Sequence, residues 1–172
     1  MEIEVRKLTI SDEKAFYEGL QLFSDMELSW YSFVWKAGMK YQEMLDILDN
    51  NSKGVNIPEG RVPDSMLYAF LDGRIVGRIS IRHELNDFLF SEGGNIGYSV
   101  ATKYQNRGIA TKMLEHALVF CKEKLGLAEV LITCDDENVG SYKVIEKCGG
   151  KLESKNISND GSKIKRRYWI KI

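Results

Sequence analysis

Long apolar runs, paired cysteines and an excess of charge of one sign are all missing from this 172-residue sequence. No window approaches the ~20 apolar residues that a membrane-spanning helix needs. Cys121, Cys134 and Cys148 are an odd number without metal-ligand spacing, so we expect buried free thiols and no metal site. The net charge of −1 at pH 7 supports neither a nucleic-acid partner nor a membrane-surface role.

A secretory signal is also missing, because acidic residues rather than a basic and then apolar region follow Met1. By exclusion we expect a cytoplasmic protein without a membrane partner. The length favours one domain, residues 1–172, since domains commonly run ~100–200 residues. A hydrophobic fraction of 44% is enough for a sizeable core. The sequence has no internal repeat and no low-complexity tract.

Proline is scarce, and both prolines fall within 50–64, which we predict to be a long loop. Before it, apolar and charged residues alternate over 2–8, which predicts a half-buried strand. Capping residues followed by a helical apolar period predict a helix over about 12–24. A second helical period covers 39–48.

The clearest local signal is a hairpin, in which Asp72-Gly73 separates two apolar runs, 65–71 and 74–82. After a short bridge over 85–91, the pattern predicts four more strands and two helices. These are a strand at 94–100, a helix from Ile109, a buried strand at 129–134, a helix that Gly149-Gly150 ends, and a last hairpin of 151–158 with 163–172. This order predicts an α+β three-layer (α/β/α) fold, with a mixed, largely antiparallel sheet flanked by about four helices.

The stretch from Tyr98 to Thr111 reads as a strand, a short basic loop and the start of a helix. A helix N-terminus has free N–H groups and a partial positive charge, so it can hold a phosphate group. Gly108 and Ala110 allow close approach of the backbone, and Arg107 adds a fork of donors. The alternative is a tight turn that packs. The stretch lacks both the Gly-Lys-Ser/Thr ending of a nucleotide P-loop and the three-glycine dinucleotide fingerprint.

Two motifs in the expected order resemble those of the GNAT N-acetyltransferases. Gln105-Asn-Arg-Gly-Ile-Ala110 is similar to the family's Gln/Arg-x-x-Gly-x-Gly/Ala loop, and 138–149 is similar to its Asn-x-x-Ala/Ser helix. The strand at 129–134 resembles the family's splayed fifth strand. The resemblance covers the chain in outline and 94–150 in detail. The stretches 78–86, 93–98 and 144–150 resemble a bacterial branch whose members are mostly known only as predicted acetyltransferases.

The resemblance implies an N-acetyltransferase that moves an acetyl group from acetyl-CoA, as co-substrate, to a primary amine of a small molecule or peptide by direct attack in a ternary complex. It places a bulged strand, whose N–H groups meet the pantetheine and the thioester carbonyl, at Tyr98–Val100. It places the diphosphate on the following loop. The implied coenzyme A residues are Tyr98, Ser99, Val100, Gln105, Asn106, Arg107, Gly108, Ile109, Ala110, Thr111, Asn138, Ser141 and Tyr142. For Asn138, a plain helix cap is an equal reading of the local sequence.

The general acid and base are not assigned by the resemblance. The family often has a tyrosine acid in the last helix, and counting from Asn138 this position is Ile145. Tyr142, on nearly the same helical face, either substitutes or is a buried structural residue. Some members use a glutamate base where this chain has glycines at 93 and 94. Nearby candidates are His83, Glu84 and Glu92, and His83 is either the base or a hydrogen-bonded structural residue.

The acceptor is chosen in this family by the first two helices, their connecting loop and the late hairpin. Trp30, Tyr31, Phe33 and Trp35, with Asp25 and Glu27 nearby, either hold an amine or pack into the core, and we favour the core. The basic run 163–167 reads as a solvated strand edge, with contact to the 3′-phosphate of coenzyme A as the alternative.

Two other functions compete with amine acetylation. The absent tyrosine and glutamate slightly favour a catalytically weak coenzyme-A-binding sensor or interaction module. An enlarged thioester pocket would indicate transfer of a longer acyl group. The late strands are a candidate surface for a homodimer, although no sequence feature fixes one.

Overall fold

Two antiparallel sheets make up the centre of the computed structural model, which describes residues 2–23 and 25–172 and gives side chains for these except at 25–27. The strands are β1 (Glu4–Arg6), β2 (Asp64–Leu71), β3 (Arg74–Arg82), β4 (Ile96–Val100), β5 (Glu129–Asp135), β6 (Lys151–Ile157) and β7 (Ile164–Lys171). The helices are α1 (Glu13–Leu20), α2 (Asp25–Ser32), α3 (Tyr41–Lys53), α4 (Ile109–Leu125) and α5 (Val139–Lys147). Short 3-10 turns occupy Ile10–Asp12 and Thr102–Tyr104, and a π-helical turn occupies Leu89–Gly93.

The first sheet has the order β1-β2-β3-β4 and the second has the order β5-β7-β6. Neighbouring strands within each sheet pair antiparallel, and the tight turn at Asp72-Gly73 joins β2 to β3 as the sequence predicts. The chain passes from the first sheet to the second through α4. The α+β fold and the late hairpin expected from the sequence are confirmed.

Helices cover both faces of the first sheet. Phe16 of α1 and Tyr31 of α2 pack edge-on against Tyr68 of β2, with ring centroids 6.4 and 5.9 Å apart. Helix α3 also packs on β2. Helix α4 lies on the opposite face, where the Met113 Sδ would be 2.7 Å from a Cβ placed at Gly77. Helix α5 packs against α4 and β5. The layers are therefore helix, sheet and helix, with a continuous apolar core between them.

The two sheets are joined at one point, the start of β4. The backbone N–H of Asn95 donates to the carbonyl of Leu131 at 2.7 Å, and the Asn95 Oδ1 accepts from the Leu131 N–H at 2.9 Å. The chains approach closely because residue 94 is a glycine: its φ is +65°, and a Cβ there would lie 2.5 Å from the Leu131 oxygen. Beyond this junction β4 and β5 do not form a ladder.

Three boundaries differ from the sequence predictions. The first helix ends at Leu20 rather than near residue 24. A separate helix, α2, covers part of the aromatic stretch, for which the sequence pattern predicts no element. Helix α3 continues to Lys53, so the loop before β2 starts only at Gly54, whose φ of +70° ends the helix. The carbonyls of Asn50 and Asn51 close the extended helix, because they accept from the Val55 and Gly54 N–H groups at 2.9 and 3.2 Å. Within the described residues, no helix is long and apolar enough to cross a membrane.

We expect Asn95→Ala to lower the free energy of unfolding by about 1–3 kcal/mol, because the buried Leu131 N–H loses its acceptor. Asn156→Ala is the control, since Asn156 is an exposed residue of β6. Urea denaturation of both variants measures the difference. Equal stability losses would contradict the importance of the junction.

Candidate functional site

The hydrogen bonds between β4 and β3 determine which backbone groups of β4 face the second sheet. The Asn95 carbonyl accepts from the Arg82 N–H at 2.7 Å, and the Ala101 N–H donates to the Val76 carbonyl at 3.0 Å. In an antiparallel pair, backbone groups of alternate residues point to opposite sides. The odd-numbered residues of β4 therefore bond to β3, and the even-numbered residues point towards β5.

The backbone N–H groups of Tyr98 and Val100 consequently point into the cleft between the sheets. The carbonyl of Val100, on the same edge, accepts from the Gln105 side chain at 3.0 Å, which confirms the direction. Ser99 pairs with β3, so its N–H is used within the sheet. The expected bulge is wrong, because the register of β4 on β3 is unbroken from Ile96 to Val100. The regular alternation of the strand is enough to direct the N–H groups of Tyr98 and Val100 into the cleft.

The basic loop after β4 leads directly to the N-terminus of α4. Asn106 and Gly108 both have left-handed backbone, with φ of 60° and 77°. Gly108 is the N-cap residue of α4, and no side chain caps the helix there. A Cβ at Gly108 would meet nothing within 4 Å, so the space in front of the first-turn N–H groups is open. These features suit an anion such as a diphosphate.

Positive charge surrounds this helix end. Lys103, Arg107 and Lys112 are exposed, and the sequence 101–114 contains no acidic residue. The Arg107 guanidinium lies 5.4 Å from the centre of the Tyr104 ring, which holds the base of the side chain near the loop. Within the loop set predicted from the sequence, Gln105, Asn106, Arg107 and Gly108 are exposed, whereas Ile109 and Thr111 are buried and anchor the helix.

Helix α5 forms the other side of the cleft. The Tyr98 hydroxyl donates to the Ser141 carbonyl at 3.1 Å and lies 3.0 Å from the Ser141 Oγ, so this pair ties β4 to α5. Burial raises the pKa of Tyr98 well above its ordinary value, so the phenol stays protonated. The Asn138 Oδ1 accepts from the Ser141 N–H at 3.0 Å, which makes Asn138 the N-cap of α5. This cap uses only the oxygen of the amide, and the NH₂ group is the part that a pantetheine arm could engage.

The acid and base candidates have defined surroundings. Ile145, at the position of the usual tyrosine, is completely buried. The Arg166 guanidinium lies 3.9 Å from the centre of the Tyr142 ring, which is half-buried. The His83 Nε2 is 2.9 Å from the Ser65 Oγ of β2, and burial lowers the pKa of His83. Glu84 is exposed. The described partner of His83 is thus on the β2 side of β3, away from β4.

Glu92 and the basic run 163–167, two further candidates from the sequence, have partners outside the cleft. The Glu92 carboxylate accepts from the Asn159 N–H, in the turn between β6 and β7. The basic run 163–167 is not a strand edge, because β7 is the middle strand of its sheet. Its charges are paired: Lys163 and Lys165 contact Asp135, Arg166 contacts Asp136, and Arg167 contacts Glu153.

The aromatic stretch divides into two parts. Tyr31 is buried and stacks on Phe16 and Phe23, with centroids 5.3 and 4.4 Å apart, as the core interpretation predicts. Trp30 and Phe33 are 47% and 38% exposed and lie over β3 instead. The side chains of residues 25 and 27, which the sequence placed beside these aromatics, lie outside the described residues.

Sequence reasoning missed a polar row on β3 that lies under these exposed aromatics. Arg78, Ser80 and Arg82 recur at every second residue, so they share the face of the sheet that α1 and α2 cover. A spacing of two, with apolar residues between, was the available signal.

The three cysteines are free thiols, as predicted. Cys121 and Cys134 are buried, but the expected burial of Cys148 is wrong, because this residue is only partly buried. Burial raises the pKa of Cys121 to about 12 and that of Cys134 to about 11, and it also raises the pKa of Cys148. A thiol with a raised pKa is a poor nucleophile at neutral pH. Cys134 is nevertheless at the end of β5, beside the cleft.

Comparison with known proteins agrees with this geometry. The family model described as "Acetyltransferase (GNAT) domain" matches residues 2–151. An uncharacterized N-acetyltransferase of Bacillus subtilis (strain 168), YnaD, is 33% identical over 58 residues, a match that spans 34% of each protein. The crystal structure of a probable acetyltransferase has a TM-score of 0.70 at 21% identity and covers 98% of this chain and 92% of its own. Mycobacterium smegmatis RimJ in complex with CoA-disulfide has a TM-score of 0.66 at 22% identity, over 98% and 81% of the two chains.

The family match extends over most of the chain, so the protein belongs to the GNAT acetyltransferase family, whose co-substrate is acetyl-CoA. The structural likenesses agree on the fold.

We expect Gly108→Ala to weaken coenzyme A binding about tenfold or more, because a methyl group would occupy the open space before the α4 donors. Gly126→Ala is a matched control: Gly126 ends the same helix with a φ of 67° and equally open space. Both variants should lose about 1–2 kcal/mol of stability from left-handed strain. Calorimetric titration with coenzyme A separates them, and equal affinities for the two variants would remove the loop from the binding site.

Proposed function

We propose that this protein transfers the acetyl group of acetyl-CoA to a primary amine of a small molecule or peptide. The observation that carries the proposal is the continuity of the cleft. Two backbone donors of β4, at Tyr98 and Val100, face the same space that ends at the uncapped N-terminus of α4. Coenzyme A with its diphosphate at α4 would lie along β4 and present its thioester to these donors.

In this proposal the remaining predicted contacts line the same cleft. The diphosphate takes donors from Asn106 to Thr111, and the pantetheine arm runs between β4 and α5. The NH₂ group of Asn138 is its contact on α5, while Ser141 keeps the Tyr98 hydroxyl in place. Ser99 and Val100 then flank the acetyl group. The arrangement supplies positioning and polarisation of the carbonyl, which are large terms in acyl transfer.

Direct attack by the amine fits the chemistry of the cleft better than an acetyl-cysteine intermediate. Cys134 is the thiol at the end of β5, and burial raises its pKa to about 11. The fraction present as thiolate at neutral pH is therefore very small. An amine that arrives neutral needs no covalent relay.

The catalytic roles of His83, Glu84 and Tyr142 stay predictions. The proposal does not depend on them, because water can carry the proton of an amine that reaches the cleft. Arg166 over the Tyr142 ring and Ser65 beside His83 are contacts that a structural role also explains. A coenzyme-A-binding sensor would share the cleft but release no thiol, and the family match does not favour it. A cytoplasmic location belongs to the same proposal.

A homodimer, if formed, would use β6. This strand is an edge of the second sheet and exposes Leu152 and Ile157, the latter 73% accessible. Analytical ultracentrifugation of the wild type and of Ile157→Lys tests this association, since a monomeric wild type would remove the dimer from the proposal.

Initial-rate kinetics with acetyl-CoA and a panel of amines test the proposed reaction, with thiol release as the readout. We expect intersecting lines in double-reciprocal plots, because both substrates must be bound before attack. Cys134→Ser should keep the turnover of the wild type within about threefold. Parallel lines together with an inactive Cys134→Ser variant would instead indicate an acetyl-enzyme. Coenzyme A binding without thiol release across the panel would favour the sensor.

The pH–rate profile of His83→Gln tests the base. Burial lowers the pKa of His83 below its ordinary value, so the imidazole is neutral at pH 7 and above and gains a proton only in more acidic solution. Because its described partner is Ser65 on β2, we expect the variant to keep the shape of the wild-type profile between about pH 5 and 8. Disappearance of an acidic limb in the variant would show that His83 is the base.

A further inference from the structure

A buried arginine without sufficient partners lies one strand away from the proposed thioester position. Arg78 is completely buried, yet its Nε and Nη2 have no hydrogen-bond partner among the described residues. Its remaining nitrogen, Nη1, is 3.2 Å from the Met66 sulfur, which is a weak acceptor. Burial lowers the pKa of Arg78 to about 10, so the group is still charged at neutral pH. A buried charge without a partner is costly and calls for a reason.

The surroundings of Arg78 carry excess positive charge. Three guanidinium groups, those of Arg61, Arg78 and Arg82, share this face with one buried carboxylate, that of Asp64. Asp64 stands opposite Arg82 in the ladder and is already held by Arg61 at 2.9 Å. Arg78 lies four residues along β3 from Arg82, and no carboxylate among the described side chains forms an ion pair with it. The charge excess is therefore concentrated at the Arg78 end of the row.

The aromatic rings of Phe33 and Trp30 cover the Arg78 guanidinium. The Arg78 guanidinium is 5.1 Å from the centre of the Phe33 ring and 5.6 Å from that of Trp30. Both rings are partly exposed, so they separate the guanidinium from solvent by a single layer of side chains. Phe33 has a φ of 42°, an unusual conformation for a phenylalanine at the end of α2. The aromatic cover of Arg78 is therefore one side chain thick, and its backbone is strained at Phe33.

Small residues connect this pocket to the cleft. On the same face, Arg78 stands opposite Ser99 of β4 and Ser80 stands opposite Gly97. A Cβ at Gly97 would lie 3.3 Å from the Trp30 ring, so the ring rests directly on the glycine. The Ser80 Oγ is a further buried polar atom without a described partner. Neighbouring strands are about 4.8 Å apart, so an acceptor of a few heavy atoms spans the distance from Arg78 to the edge of β4.

We propose that Arg78, with Ser80 and Arg82, binds an oxyanion on the acceptor, so that the acceptor is an amine that also carries a carboxylate or phosphate group. This inference rests on the proposed acetyltransferase function and names its substrate class. The arginine fork matches both oxyanions, and Trp30 and Phe33 cover the bound group. The amine then points past Ser99, which stands opposite Arg78, towards the thioester. Arg78 and Arg82 act as positioning residues and take no part in proton transfer.

The test compares acceptors that differ only in the anionic group: glycine, leucine and phenylalanine against their amides, and O-phosphoethanolamine against ethanolamine. Thiol release is measured with the wild type, Arg78→Met, Arg82→Gln and Arg74→Gln. Arg74 is exposed at the start of the same strand and is the control. We expect the anionic member of at least one pair to have a kcat/KM about 10- to 100-fold higher in the wild type and in Arg74→Gln. Arg78→Met should abolish this preference, and Arg82→Gln should reduce it. The pair that shows the effect identifies carboxylate or phosphate.

Stability distinguishes a ligand site from a structural role. Replacement of an unpaired buried charge by an apolar side chain of similar length is often neutral or stabilising. We therefore expect Arg78→Met to unfold at the temperature of the wild type or above it. If the variant does not fold, Arg78→Lys keeps the charge without the fork and should still lose most of the preference. A folded Arg78→Met with a much lower unfolding temperature and an unchanged preference would overturn the inference.

A binding measurement separates failure of this inference from failure of the proposed function. N-acetyl-L-leucine and N-acetyl-L-leucinamide are titrated against the protein, with tryptophan fluorescence as the readout because Trp30 covers the site. Thiol release with equal rates for anionic and neutral acceptors overturns the oxyanion site and keeps the acetyltransferase. No thiol release with any amine, but tighter binding of N-acetyl-L-leucine that Arg78→Met removes, supports the site and rejects the reaction. Equal binding of the two probes in that case overturns the site as well.

Discussion

The structure depends on a single junction between two sheets. Asn95 uses its backbone N–H and its side-chain oxygen on Leu131, and Gly94 permits this approach because it has no Cβ. The two sheets are hydrogen-bonded to each other at this junction, and beyond it β4 and β5 form no ladder. The N–H groups on the outer edge of β4 would otherwise bond to a neighbouring strand. Because the sheets separate, Tyr98 and Val100 direct these groups into a cleft, where a ligand can use them.

The two sides of the first sheet carry different kinds of positive charge. At the start of α4 the basic residues are exposed and surround open backbone donors, which suits the phosphates of a large, highly charged ligand. On the opposite face Arg78 is buried beneath aromatic rings, which suits one small anionic group. In the second sheet the basic run of β7 is neutralised by its own acidic neighbours. Of these three groups, the first two are the ones that we propose to bind ligands.

In the proposed reaction, catalysis rests on placement more than on a dedicated acid or base. Ile145 fills the position where relatives often have a tyrosine, and it is part of the core. The buried thiols are held in their protonated form, which argues against a covalent relay. Backbone donors remain, and they do not change protonation state with pH. The buried charge at Arg78 has the character of a functional compromise, in which stability of the empty protein is lost for recognition of the acceptor.

The local elements, and the presence of a basic loop before α4, can be predicted from residues that are neighbours in the sequence. Asp72-Gly73 predicted the hairpin, the change of apolar period at Ile109 predicted the start of α4, and Gln105–Ala110 predicted the anion site, because each depends on neighbours within a few residues. The prediction that the basic run of β7 lies at a sheet edge is wrong, because β7 is the middle strand of its sheet. Strand order depends on pairing between segments that are far apart in the sequence. Long-range pairing and packing make Asn95 the junction of the sheets, leave β4 without a bulge, and bury Arg78 without a described carboxylate partner. These features arise from contacts between segments far apart in the chain, for which a single sequence carries no local signal.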